Sequence, residues 1–145
     1  MVKSIPQFEL KKIQSQFPAI KIRSSEDAYK FCRQFYGDDI EIYESFFLLL
    51  MNRSNTTIGF AKISQGGITG IVVDPRIVAK YAVESLATGV ILCHNHPSGN
   101  LDPSPQDKDY TQKIKAALKF FDIQVFDHLI LSSESFFSFA DDGIL

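Results

Sequence analysis

The sequence predicts an α/β fold in three layers, a mixed β-sheet with helices on both faces. Three observations carry that expectation. Amphipathic helical stretches alternate with strand-like runs through the middle of the chain. Two of those runs, YESFFLLLMN and VILC, are apolar at successive positions, as strands covered on both faces are. Hairpin signals flank the alternation on either side. With 145 residues, 45% hydrophobic and 22% charged, the chain has the size and composition of one domain spanning residues 1–145. A chain of this length buries roughly two-thirds of its unfolded surface, so stability alone requires neither disulfides nor a metal.

Residues 1–23 read as an arm. Phe8, Leu10 and Ile13 have strand-like spacing, but Pro6 and Pro18 bracket them. From Ser24, SSEDAYKFCRQF supplies an N-cap, acidic residues in the first turn, and Ala28, Phe31, Cys32 and Phe35 at helical spacing, with Gly37 as the stop. The strand YESFFLLLMN follows, with Glu44 at its beginning, and NRSNTT turns the chain into an antiparallel strand near Ile58 to Ile63. SQGGITG is the next loop, and its Gly66–Gly67 pair is expected to border a groove. Asp74 as N-cap and Pro75 as first helical residue open a helix with Val78, Tyr81, Ala82, Ser85 and Leu86 inward, ended by Gly89. VILC then leads to His94 and His96 at a strand end. After PSGNLDP a third helix starts at Ser104-Pro105, with Tyr110, Ile114, Ala117, Leu118 and Phe121 inward. IQVFDHLILS and SFFSFA close the chain as two paired strands.

Composition narrows the partners. Fifteen Lys and Arg against 17 Asp and Glu give a net charge of −2, so nucleic acid is a possible partner that the net charge does not support. Lys108, Lys115 and Lys119 share one helix face, the pattern of a solvated surface. The longest apolar run, Phe46 to Met51, is far short of the ~20 residues of a membrane helix, and MVKSIPQFELKK has no signal-peptide pattern. Cys32 and Cys93 lack repeated spacing and read as reduced core thiols, which makes the cytoplasm the expected location. Oligomeric state leaves no mark on the sequence.

Chemistry concentrates after VILC. His94 and His96, two apart on a strand, point to the same face and converge on one point. They stand at the carboxyl end of a buried strand, where open α/β sheets place ligands. Asp107 falls on the inward stripe of the next helix, and an inward carboxylate needs hydrogen bonds or a cation. Two histidines and an aspartate with one open position form the donor set of catalytic zinc. Ser104 and Asp107 also have capping-box spacing, which explains both residues without a metal, and the two roles are compatible. Glu44 shares a face with Phe46, Leu48 and Leu50, where apolar surroundings raise a carboxyl pKa toward values useful in proton transfer. Glu41 and Glu84 compete less well, because Glu84 is on the outer face of its helix. Cys93 faces away from its histidine neighbours and belongs to the core. His128 reads as a hydrogen-bonded structural histidine, with support of the site as the alternative.

The string HNHPSGNLDPSPQD contains His-x-His, ten further residues and Asp, with Ser three positions before that Asp. It resembles the JAMM motif of the JAB/MPN metallopeptidases. HNHPSG, the later Asp127-His128 and SFADDG resemble the RadC-like JAB domain in particular, over roughly Ile42 to Leu145. The resemblance implies a cytidine-deaminase-like α/β/α sandwich, one zinc per chain on His94, His96 and Asp107, Glu44 as the base that deprotonates water, and Ser104 as the group that stabilises the oxyanion. It implies hydrolysis of a peptide or isopeptide amide in a peptide or protein substrate. A DNA-associated or protein-binding module with a vestigial or structural metal site is the alternative. Longer RadC proteins carry an N-terminal helix-hairpin-helix region associated with DNA binding, and the arm before Ser24 is too short to hold one, which weakens the repair role in the family's name. A zinc deaminase is set aside, because H-x-E and P-C-x-x-C are missing.

Overall fold

The structure is a computed structural model that describes residues 2–67 and 70–145. Its elements in chain order are α1 (Ser25–Arg33), a 3₁₀ turn (Asp38–Glu41), β1 (Glu44–Met51), β2 (Thr57–Gly66), α2 (Pro75–Glu84), β3 (Gly89–Asn95), α3 (Pro105–Lys119), β4 (Gln124–Leu131) and β5 (Phe136–Ser138). The strands form one sheet in the order β2-β1-β3-β4-β5. Only β3 and β4 run parallel, joined by α3 as their crossover, and the other neighbours are antiparallel. The sheet is therefore mixed, and the fold is α/β of the JAB/MPN kind.

Strand parity divides the core into two layers. Phe47, Leu49, Met51, Ile91 and Cys93 point to the side covered by Ala28, Phe31 and Cys32 of α1. Phe46, Leu48, Leu50, Val90 and Leu92 point to the other side, under Val78 and Ala82 of α2 and Ile114 and Leu118 of α3. This is why β1 and β3 read as unbroken apolar runs, and each fully buried Leu or Phe in them contributes about 1.5–3 kcal/mol. Glu44 and His94 have the parity of Phe46 and Leu92, so they emerge on the α2/α3 side.

Several expected boundaries move. α1 stops at Arg33 with Gln34 as its C-cap; Gly37 lies three residues on and caps the 3₁₀ turn, which periodicity does not reveal. α2 ends at Glu84, and Leu86 lies beyond it with φ +59° and 82% exposure, so the inward stripe does not reach it. Gly89 does not end that helix but opens β3, where an added Cβ would meet the Phe126 ring at 2.2 Å. Phe121 follows the cap residue of α3 and is 57% exposed rather than inward. β2 continues through Gly66 into the expected SQGGITG loop, of which Ile68 and Thr69 lie outside the described residues. The arm is largely exposed, but Phe17 packs against Phe31, Phe35 and Phe60, and Lys21 bridges to Thr56. Among the described residues no helix is long and apolar enough to cross a membrane.

Candidate metal centre

His94 is the penultimate residue of β3, and His96 follows the strand directly, its N–H still bonded to the Leu131 carbonyl at 2.9 Å. The pairing extends the two-residue alternation past the strand end, so both rings face α3. Asp107 reaches them from the first turn of α3. Ser104 is the N-cap there: its Oγ accepts the Asp107 N–H at 3.0 Å, while Asp107 Oδ2 accepts the Ser104 N–H at 2.9 Å. That capping box and a place among the histidines coexist, because Asp107 also lies 3.4 Å from His94 Nε2 through Oδ1 and 3.2 Å from His96 Nε2 through Oδ2. Glu44, at the start of β1, brings Oε1 to 3.8 Å from His94 Nε2. One donor atom from each of Glu44, His94, His96 and Asp107 falls within a mutual span of 4.8 Å.

Hydrogen-bond polarity orients the two imidazoles. Thr111 donates its hydroxyl hydrogen to the Asp107 carbonyl at 2.5 Å, so its Oγ1 accepts from His128 Nδ1–H at 2.6 Å. His128 is fully buried; burial and then the neighbouring His94 push its pKa well below the usual value, which keeps it neutral. Its bare Nε2 therefore accepts from His94 Nδ1–H at 2.7 Å. His96 in turn donates Nδ1–H to the Asn100 carbonyl at 2.6 Å. With Nδ1–H directed away, each ring turns its Nε2 to the same point, the two nitrogens 3.1 Å apart. Phe46 stacks on the His94 ring and Phe139 on the His128 ring, so packing fixes the planes that the hydrogen bonds orient.

The electrostatics favour positive charge at that point. Burial pushes Asp107 upward, but with a proton among these donors hydrogen bonds from His94 and His96, the charge of His94 and the Ser104 N–H outweigh it and hold the carboxyl far below the usual range. Burial likewise lowers His96, and the Asp107 carboxylate and Asn100 carbonyl reverse the net shift to a rise. Glu44 is raised, chiefly by burial and partly offset by the two histidines. Paired Nε2 lone pairs beside a buried carboxylate repel unless a proton or a cation lies among them, so the donors present fit a divalent metal ion.

The cluster opens on a cleft of about 640 Å³ lined by Glu41, Ile42, Gly70, Ile71, Ser104 and Tyr110, among others. Gly70 and Ile71 border it, three to four residues beyond the Gly67 expected to do so. Tyr110 donates its hydroxyl to Asp107 Oδ1 at 3.1 Å, a role absent from the sequence reading, although its inward position was legible. Thr111 was also missed; its signal is the four-residue spacing from Asp107, at which a helical threonine bonds back to a carbonyl. Glu84 and Cys93 stay outside the cluster, Glu84 exposed on α2 and Cys93 buried against Tyr36 on the opposite side of the sheet.

A mixed sheet between helical layers, with His-x-His at a strand end, Asp in the facing helix and Glu on the neighbouring strand, defines a JAB/MPN-type chain with a candidate metal centre. The RadC-like JAB domain family matches residues 22–144, and the chain belongs to that family. It is 47% identical over 124 residues to a UPF0758 protein of Flavobacterium johnsoniae, covering 86% of this chain and 53% of that protein. It is 43% identical over 102 residues to the UPF0758 protein YfjY of Escherichia coli, covering 70% of this chain and 64% of YfjY. A UPF0758 protein of Aquifex aeolicus is 32% identical over 126 residues, covering 87% of this chain and 53% of that protein. The chain thus spans about half the length of the Flavobacterium and Aquifex relatives.

Proposed function

We propose that this chain is a zinc-dependent hydrolase of peptide or isopeptide amide bonds, with one zinc per chain. The observation that carries this reading is the pair of Nε2 atoms of His94 and His96, 3.1 Å apart, with their ring hydrogens drawn away to His128 and Asn100 and the Asp107 carboxylate against both. Two imidazoles and one carboxylate form a three-ligand set that suits catalytic zinc. Zinc held there supplies Lewis acidity, polarising an amide carbonyl and acidifying a water molecule. Glu44 stands farther from His94 than Asp107 does, and its raised pKa suits a base that takes a proton from attacking water and returns it to the leaving nitrogen. Ser104 Oγ accepts the Asp107 N–H and keeps its own hydrogen to donate to the developing oxyanion.

Among the described residues Glu41, Glu44 and Asp107 line the cleft without Lys or Arg, which favours a neutral or basic peptide over a phosphodiester backbone. The exposed lysines of α3 are the feature toward the DNA-associated alternative. Two free, buried cysteines agree with a cytoplasmic location. The reading is tested by loading the chain with zinc and screening internally quenched peptides and ε-lysyl isopeptides. Glu44→Gln is expected to keep its zinc and lose activity by about 100- to 10,000-fold. A wild type that binds no zinc, or hydrolysis that survives in Glu44→Gln, refutes it. Salt-dependent DNA binding by a zinc-loaded but inactive wild type, abolished by Lys108→Ala, Lys115→Ala and Lys119→Ala together, would favour the alternative.

A further inference from the structure

Asn95 separates the two histidines and, by strand alternation, faces the opposite side of the sheet. It is fully buried, so its amide must find partners within the protein. It finds three. Its Oδ1 accepts the Ser45 N–H at 2.7 Å, and its Nδ2 donates to the Ile40 carbonyl at 2.7 Å and the Tyr43 carbonyl at 2.8 Å. The Tyr43 carbonyl and the Ser45 N–H belong to the two peptide groups on either side of the Glu44 Cα. One side chain therefore grips both, and a third bond ties the preceding 3₁₀ turn to the same point.

On the β3 side the backbone does not do this by itself. The β1–β3 ladder runs from Met51↔Gly89 to Phe46↔His94 and goes no further toward the start of β1, while β2 still pairs with Ser45 and Glu44 on the other edge, so the Asn95 amide takes over on the β3 side, where pairing to that strand ends. Nor does the Glu44 side chain hold itself, since no hydrogen bond to its carboxylate is present among the described residues and His94 Nε2 stands 3.8 Å from Oε1. The carboxylate is placed by its backbone, and that backbone is held by the β2 ladder on one edge and by Asn95 on the other. An aspartate lacks the two donors, a leucine lacks all three bonds, and a glutamine is one methylene too long for the same geometry.

We infer that Asn95 is a positioning residue of Glu44: the strand end that presents His94 and His96 to the metal also helps to fix, through the residue between them, the base across the site. The inference rests on the hydrolase reading for its consequence in catalysis, but not for its structural content. In the zinc-loaded protein, Asn95→Leu and the isosteric Asn95→Asp should bind zinc within about threefold of wild type, since both histidines and Asp107 remain. Hydrogen exchange at the Ser45 amide should accelerate, and crystal structures should show the Glu44 carboxylate displaced while the histidines stay. On any amide substrate found, kcat should fall about 100-fold with KM little changed, as expected for misplacement of a reacting group by about 1 Å. An unmoved Glu44 carboxylate in either variant overturns the inference, as does zinc affinity falling in parallel with kcat, which would make Asn95 a general support of the strand end. Should neither variant fold, the wild type decides: both Asn95 Nδ2 hydrogens should exchange at least ~100-fold more slowly than a free amide, and fast exchange overturns it. If no substrate is cleaved, the hydrolase reading fails, while the exchange and crystallographic results still decide the role of Asn95.

Discussion

Thr111→Val isolates the hydrogen-bond chain behind His94 from everything else in the site. Thr111 is fully buried, and valine replaces its hydroxyl by a methyl of similar size, so packing is retained while two bonds vanish. The Asp107 carbonyl keeps its helical N–H partner, but His128 Nδ1–H is stranded in the core. A buried donor without a partner costs about 1–3 kcal/mol. At about 2–4 °C per kcal/mol for a chain of this size, the metal-free protein should melt roughly 2–12 °C lower. The core can relieve that cost by moving the His128 hydrogen to Nε2, but then His94 Nδ1 must accept and the His94 hydrogen is forced onto Nε2, inside the metal site. Zinc then competes with that hydrogen, and affinity should drop about 10- to 100-fold, as for loss of other groups that orient metal-ligating histidines. Competition against a chromophoric chelator measures the affinity, and ¹H–¹⁵N imidazole spectra of the metal-free protein show which nitrogen carries the hydrogen. Thr111→Ser should restore both. Wild-type zinc affinity in Thr111→Val, with the His94 hydrogen still on Nδ1, would refute the reasoning even if the melting temperature fell.

Two further expectations concern the scaffold. Burial raises the Asp127 carboxyl despite hydrogen bonds from Ser138 Oγ and the Ala140 and His128 N–H groups. An acid whose folded pKa lies above its unfolded value binds its proton more tightly when folded. Its contribution to stability is thus complete below about pH 4 and lost as pH rises through the folded value. Urea unfolding with a chelator present should show Asp127→Asn gaining on wild type across that window, and a pH-independent difference would refute the assignment. Gly89→Ala puts a Cβ 2.2 Å from the Phe126 ring, so the variant should lose about 1–3 kcal/mol in urea unfolding with its zinc affinity intact. An unchanged urea midpoint would mean that the ring makes way without cost.

The parts of the fold that were legible are those governed by a period. Covering β1 and β3 on both faces requires apolar residues at successive positions, and the two-residue alternation then puts Glu44 and His94 on one side of the sheet. The 100° step of α3 turns Asp107 toward them, along with Ile114 and Leu118. The same periods mislead where an element stops. The helical step puts Leu86 on the α2 stripe and Phe121 on that of α3, but each lies past its helix, where the step no longer applies. Gly37 and Gly89 have the composition of stop signals, yet one caps a 3₁₀ turn and the other leaves room for the Phe126 ring.

Residues that orient the cluster are harder to read than those that form it, and the reason is physical. A metal ligand announces itself through spacing, because several side chains must reach one point. An orienting residue needs only one complementary donor or acceptor, and that partner can come from anywhere the fold brings near. Asn95 meets Ile40, Tyr43 and Ser45 across 50 or more residues of chain, and His128 meets His94 across 34. What the sequence does contain is the obligation: the alternation that turns His94 and His96 toward α3 turns Asn95 into the opposite core layer, where an amide with two donors and one acceptor cannot stay unpaired. The same holds for Thr111 and His128, both fully buried and both polar. In such a site the informative polar residues are the ones that parity or helical step sends inward, away from the reaction, because burying them is worthwhile only if they hold something in place.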